Sequence, residues 1–392
     1  MSCIIHFLPA KSGDCFVIEF DNKDCILIDC GYVSTYTDEL KPLLLKLRAK
    51  GCRLVLLLVT HIDQDHISGA IRLLEENGKQ DTPQIIKIEN IWFNGFFNTV
   101  FPRSEFEKRK VACLSPQMTY QQKCALSDLL MQTLGEDGPI SVDQCKCFET
   151  LCAKNGYVLN RQFSKLAVQQ TCKNREEMLE NGIQLGDICI YVLSPGKEQL
   201  DQLAHILNRR LIQQFGRDYQ LTTDANFGTF FELLMGLHAS STASISIEPI
   251  SATKSGIKDW LNTSSCAKMS PENQSSIAIE IEYKGLRMLF LGDAESENFK
   301  NFLAEHYHLI KLSHHGSLQP NLALLEKSKG DILLISTDGK KRHPEDELLA
   351  RAILSGNQAL YFNYDIARKD DLLAQQKEFG FSAHFLEREI VL

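Results

Sequence analysis

The apolar run Leu54-Val55-Leu56-Leu57-Leu58-Val59 has the length and composition of a strand buried on both faces, and the period changes directly after it. Ile67, Ala70, Ile71 and Leu74 recur at i, i+3, i+4 and i+7, which predicts an amphipathic helix ending near Gly78. Upstream, residues 3–60 read as alternating short strands and a helix over about 36–50 that stops at Gly51. Residues 85–95 read as one or two strands. From about 96 to 185 the pattern turns helical and polar, with helices expected over 116–134, 143–154 and 175–181. Asp187 to Leu193 reads as a strand ending at Ser194-Pro195-Gly196, followed by a helix over about 198–215 with Leu203, Ile206, Leu207 and Leu211 on one face. Residues 239–255 hold eight Ser or Thr among seventeen, carry no steady period and read as a spacer loop. Beyond them, 277–293 gives a strand pair, 331–336 a buried strand, and 345–354 a helix with Leu348, Leu349, Ala352 and Ile353 inward.

The chemistry sits where the first buried strand meets its helix. Thr60-His61-Ile62-Asp63-Gln64-Asp65-His66 packs four metal-ligand side chains into six residues. Two imidazoles and two carboxylates that close would each need full solvation or a partner, and a pair of divalent ions satisfies all four. His61 and Asp63 leave the strand on alternate positions and point the same way, while Asp65 and His66 open the helix and aim at a second point.

The pattern H-x-D-x-D-H resembles the metal-binding signature of the metallo-β-lactamase superfamily, in the variant whose second His is Asp, as in the hydrolase domain of the DNA-uptake protein ComEC. Further segments match that variant in order. Gly13-Asp14-Cys15-Phe16-Val17-Ile18 and Ile26-Leu27-Ile28-Asp29-Cys30-Gly31 resemble its opening hairpin and first Asp. Asn273-Gln274-Ser275-Ser276 and Leu291-Gly292-Asp293 resemble its NNxS and GD elements. Lys311-Leu312-Ser313-His314-His315-Gly316-Ser317 resembles its HHGS element, and Ile335-Ser336-Thr337-Asp338-Gly339 with His343-Pro344 its closing loop.

This resemblance implies an α/β fold, the metallo-β-lactamase αββα sandwich, with two mainly helical insertions. The first half of the core would span 1–95, a helical insertion 96–185, a core strand 186–200, a helix and Ser/Thr-rich loop 201–270, and the second half of the core 271–392. By the same resemblance two divalent ions, zinc or manganese, are the cofactors. Asp65 and His66 would hold one ion with Asp293 as bridge and His343 from the last loop. His61 and Asp63 would hold the other, sharing Asp293. No His precedes the GD element at the usual place, so His315 is the candidate to complete that second site, leaving His314 to meet a substrate phosphate and act as general acid; the two roles could be exchanged. Asp29 is expected to orient a metal-binding His from behind, and Asn273 to support the site.

At 392 residues the chain exceeds an ordinary single domain, which fits one large core with insertions. No apolar run approaches the length of a membrane span, and the N-terminus lacks a signal-peptide pattern, so a cytoplasmic protein without a membrane channel is expected. Thirteen scattered cysteines without paired C-x-x-C spacing fit reduced, mostly buried thiols. A net charge of −8 excludes nucleic-acid binding over the whole surface but leaves room for a local basic groove. Of the basic clusters Lys108-Arg109-Lys110, Arg209-Arg210 and Lys340-Lys341-Arg342, the last stands beside His343, where a substrate phosphate would need cations.

The expected activity is phosphodiester hydrolysis by a nuclease acting on DNA, with Asp65 and His314 catalytic and Lys340, Lys341 and Arg342 binding substrate. Bacterial defence is the setting that stand-alone relatives imply. Trp92, Phe93, Phe96, Phe97 and Phe101 could border the cleft and stack bases, although such a run is more often core. Two other readings stay open: a hydrolase of small phosphodiesters, acyl esters or lactams, and an interaction subunit that meets a protein partner through 96–185.

Overall fold

Strand β4, Arg53–Leu58, is buried at every position after its first, as its unbroken apolar run requires. The computed structural model describes residues 3–100, 148–164, 166–215, 256–261, 269–340 and 342–392. In it β4 belongs to a sheet ordered β14-β1-β2-β3-β4-β5, where β1 is Cys3–Phe7, β2 Phe16–Phe20, β3 Asp24–Ile28, β5 Ile91–Trp92 and β14 Glu389–Val391. A second sheet runs β13-β12-β11-β10-β9-β8-β7-β6. Its strands are β6 Ile183–Leu185, β7 Ile188–Ser194, β8 Ala278–Tyr283, β9 Leu286–Phe290, β10 His306–Lys311, β11 Lys329–Ile335, β12 Ala359–Phe362 and β13 Ser382–His384.

Alternation along the strands builds the layers. Ile26 and Ile28 of β3 face the other sheet, while Cys25 and Leu27 face the helices. In β9, Met288 and Phe290 face inward and Leu289 faces the opposite helices. Phe16 and Phe290 meet edge to face across the sandwich at 5.6 Å, and Phe20 meets Tyr283 at 4.5 Å. Such ring pairs add about 0.5–1.5 kcal/mol each beyond the area they bury. Helices Lys41–Ala49 and Gln64–Asn77 cover the first sheet, and Asp346–Leu354 and Lys369–Phe379 the second, which makes an αββα sandwich.

The sheets are parallel where the chemistry sits. β3–β4, β9–β10 and β10–β11 are parallel pairs, so the loops after β3, β4, β9, β10 and β11 emerge at one edge. That carboxyl edge is where open α/β sheets place their ligands.

Several segments differ from the expectation. The helix expected over 36–50 begins earlier, as consecutive helical segments Val33–Thr35, Tyr36–Leu40 and Lys41–Ala49. Only Ile91–Trp92 of the 85–95 segment is a strand, with a single bridge from Ile88 to Leu54. The Asn77 side chain accounts for this: its Oδ1 accepts from the Ile85 and Ile86 amides at 2.8 and 2.9 Å, taking donors that a ladder would use. β14, which pairs with β1 and closes the first sheet with the chain's last residues, carries no periodic signal in its three residues. The helix expected over 116–134 and the loop at 239–255 lie outside the described residues. Of the stretch 96–185, the described part includes helices Phe148–Lys154 and Arg175–Glu180. Phe148 and Leu151 join the core against the first sheet, and Asn160 bonds the Phe93 backbone at 2.9 and 2.8 Å.

The eight described cysteines carry no disulfide, and six of them are buried. Among the described residues no helix is long and apolar enough to cross a membrane.

Candidate metal centre

Asp29 follows β3 with a left-handed backbone, φ 54°, a conformation that the short polar Asp tolerates better than most side chains. Its carboxylate is saturated by three donors. Thr60 donates its amide at 2.8 Å and its hydroxyl at 2.7 Å, and His66 donates Nδ1–H at 2.7 Å. His66 reaches Asp29 because the Gln64–Asn77 helix lies almost on the backbone after β3. A Cβ at Gly69 would stand 2.1 Å from the Cys30 carbonyl oxygen. Gly13 serves the same purpose on the other side, since a Cβ there would meet the Asp65 carbonyl oxygen at 1.9 Å.

The second sheet supplies the opposing wall. Gly292, at φ 51°, turns the chain after β9 so that Asp293 points inward, with its amide 3.3 Å from the Ser276 hydroxyl. His314 and His315 both adopt left-handed φ, 46° and 56°, and this turn buries His315 with Nδ1 bonded to the Ser336 carbonyl at 3.0 Å. His61 Nδ1 is likewise engaged, 3.0 Å from the Thr60 hydroxyl. With Nδ1 occupied on His61, His66 and His315, each ring offers only Nε2.

Those atoms converge on Asp293. The Nε2 atoms of His61, His66, His315 and His314 lie 3.7, 3.8, 3.8 and 3.9 Å from its carboxylate oxygens. These separations are too long for hydrogen bonds. They suit two donors on one cation, which at about 2.1 Å each can stand at most about 4.2 Å apart. His61 Nε2, His66 Nε2, Asp63 Oδ1 and Asp293 Oδ1 are buried without a hydrogen-bond partner, a costly state unless a cation takes them. Among the described residues three donor sets have the spacing to hold an ion: His61, His66 and Asp293; Asp65, His66 and His315; and Asp14, Asp29 and His66. In the third, Asp29 is already saturated.

Charge reinforces the arrangement. Burial opposes the charge on His66, but Asp29, Asp293 and Asp65 outweigh it and hold its pKa well above the ordinary imidazole value. For His61, burial and His66 are outweighed by Asp63 and Asp293, again raising the pKa. His315 goes the other way: burial dominates, only Asp293 opposes it, and Lys311 adds to the depression. Burial works against Asp293 as an anion, yet His315, His66, His314 and His61 hold its pKa well below the carboxylate range. A carboxylate ringed by imidazoles is a ready cation site.

Behind the centre lies a pair the sequence reading passed over. Asp14 and Lys311 are both buried and ion-paired, Lys311 also donates to the Gly292 carbonyl at 3.0 Å, and Asp14 Oδ1 lies 3.6 Å from His315 Nδ1. Burial pushes the Asp14 carboxyl up to about 6 against the pull of Lys311 and His66. The available signal was a lysine closing an otherwise apolar strand pattern, Leu309-Ile310-Lys311, directly before the His pair.

Residues 8–90 match the family model described as Metallo-beta-lactamase superfamily. Over this segment, which holds His61, Asp63, Asp65 and His66, the chain resembles that superfamily. It is also similar to the metallo-beta-lactamase fold protein YhfI from Bacillus subtilis, at 8% identity and a TM-score of 0.37, over 100% of this chain and 99% of that one. Against a mutant of CmlA β-hydroxylase the values are 8% and 0.35, over 100% of this chain and 54% of that one, so the chain spans about half of CmlA's length. No curated protein matches it.

The donor sets above fit divalent ions. The grouping of residues differs from the expectation at His66, His315 and His343, His66 sharing a donor set with His61 as well as with Asp65. His315, expected to join His61 and Asp63, stands instead with Asp65 and His66, because the left-handed turn at 314–315 and the bond to Ser336 swing its ring to that side. His343, expected on the Asp65 ion, belongs to none of the described donor sets, and its ring lies 5.2 Å from that of His314. Ser270 caps the short Pro271–Gln274 helix, its hydroxyl accepting from the Asn273 amide at 3.1 Å and donating to Asn273 Oδ1 at 3.1 Å, and Ser276 makes the contact to Asp293. Lys340 is exposed and folds back on Asp338 at 3.1 Å; Arg342 is exposed at φ 60°; Lys341 lies outside the described residues. Trp92 and Phe93, expected as cleft or core, are fully buried in the core, and Phe101 lies outside the described residues.

Proposed function

We propose that this protein is a metal-dependent phosphodiester hydrolase acting on DNA. The observation that carries the hydrolase reading is the convergence of the His61, His66, His315 and His314 Nε2 atoms on the buried Asp293 carboxylate. Asp293 has two oxygens to share, one 3.7 Å from His61 and the other 3.8 Å from His66. It would bridge one ion held by His61 and Asp63 to another held by Asp65, His66 and His315. His66 serves one ion only, since Asp29 holds its other nitrogen. Bound divalent ions would lower the pKa of a water and neutralise charge on phosphoryl oxygens. Their carboxylate-rich donor set accommodates manganese as well as zinc.

The phosphodiester reading rests on what surrounds the donors. His314 is partly exposed at 27%, the most exposed of the four imidazoles around Asp293. That leaves its ring able to give a proton to the leaving oxygen, the role of a general acid. Ser12, 3.4 Å from Asp65 Oδ2, orients that carboxylate from the rim. Arg342 is exposed and adjoins His343 in sequence, which makes it the candidate cation for the substrate.

The test is digestion of end-labelled single- and double-stranded DNA, with Mn²⁺ or Zn²⁺ added, by wild type and Asp65→Ala. The substitution should abolish turnover while circular dichroism stays native, because it removes a ligand from a helix end and not a core side chain. Full turnover by Asp65→Ala, or wild type inert on DNA in both metals, overturns the proposal.

A further inference from the structure

We infer that Lys11, with Ser12 and Tyr32, forms a subsite for a second phosphate of the substrate, next to the one that reacts. This rests on the phosphodiesterase reading and narrows its substrate to a strand carrying adjacent phosphates, such as a single-stranded oligonucleotide.

Lys11 is the exposed apex of a turn whose neighbours are buried, and it holds a left-handed φ of 60° that side chains other than glycine seldom adopt. The turn is fastened at three points. The Lys11 amide donates to the Tyr364 hydroxyl at 2.9 Å, its carbonyl accepts from the Asp338 amide at 3.0 Å, and its Nζ donates to the Ser34 hydroxyl at 3.0 Å. An outlier so firmly held at the mouth of a site points to function more than to chance.

Its charge is positioned but not neutralised. Lys340 is paired with Asp338, whereas among the described residues Lys11 has no carboxylate partner. Its Nζ stands 5.7 Å from the centre of the Tyr32 ring, where the π face favours a cation. A chain of contacts ties this ammonium to the metal centre: the Tyr32 hydroxyl lies 2.9 Å from Ser12 Oγ, which donates to Asp65 Oδ2 at 3.4 Å.

The ammonium meets Asp65 through the Tyr32 ring and the Ser12 hydroxyl, and its own hydrogen bond goes to Ser34 and not to a candidate metal ligand. It is placed for the next anionic group along a substrate. An exposed lysine contacts phosphate as a point charge, a contact that binds backbone without reading sequence.

The experiment compares wild type, Lys11→Gln and Lys11→Arg on a short single-stranded oligonucleotide and on bis(4-nitrophenyl) phosphate, which has a single phosphate. Lys11→Gln should raise KM for the oligonucleotide about tenfold more than KM for the small diester, and Lys11→Arg should restore most of the difference. Without added metal, the affinity of Lys11→Gln for the labelled oligonucleotide, read by fluorescence anisotropy, should show a salt slope smaller by about one. An equal rise in both KM values, no rise in either, or an unchanged salt slope overturns the inference while leaving the phosphodiesterase reading intact. Wild type that turns over a lactam or ester and neither phosphodiester overturns both.

Discussion

His66 and Asp29 are fully buried and joined at 2.7 Å, Nδ1 to Oδ2, and this bond determines which imidazole nitrogen faces Asp293. A carboxylate accepts only, so it keeps the proton on Nδ1 and leaves Nε2 as the nitrogen that can give up its proton and take a metal. Asp29→Asn preserves shape and tolerates the left-handed backbone, but its amide donates toward Nδ1 and moves the ring proton to Nε2. Metal affinity should fall about 10–100-fold, measured by chelator competition, with little change in the far-ultraviolet spectrum. Unchanged affinity would reduce Asp29 to a packing role.

Lys311 and Asp14 form a buried pair behind the site, where neither charge has water to fall back on. Lys311→Met strands the Asp14 carboxylate and should cost about 3–5 kcal/mol in urea unfolding, with the double variant Lys311→Met/Asp14→Asn recovering a large part. A single variant as stable as wild type would show that the pair is dispensable.

Proton release follows from the raised pKa of His66. Its folded value lies above the unfolded one, so in the metal-free protein its stabilisation is complete below about pH 6.5 and is lost as the pH rises through the folded value. A ligand nitrogen must be unprotonated, so metal binding at pH 7 should expel that proton. Calorimetric titrations in buffers of different ionisation enthalpy should then differ, and the difference should shrink in His66→Gln. Identical heats in all buffers would contradict the charge assignment.

Much of this was legible because the informative contacts are local. His61, Asp63, Asp65 and His66 fall within six residues, and the strand-to-helix switch around them is written in the apolar period. Asp29, as supporter of a histidine, was readable only from its place in a motif; the structure puts it on His66. The position of His315 was not, since spacing does not show that 314 and 315 both turn left-handed and that Ser336 holds the ring. Lys340 looked like a substrate cation because sequence does not reveal that it folds onto Asp338. Asp14 with Lys311, and Lys11 with Tyr32, are partnerships across long sequence separations or turns, which periodicity cannot register.

The most direct test is anomalous diffraction from crystals grown with Mn²⁺ or Zn²⁺. Peaks at the metal edge should lie between the Asp293 carboxylate and the Nε2 atoms of His61, His66 and His315, within bonding distance of Asp63 and Asp65. Metal-replete crystals with no peak at Asp293 would contradict the account at its centre.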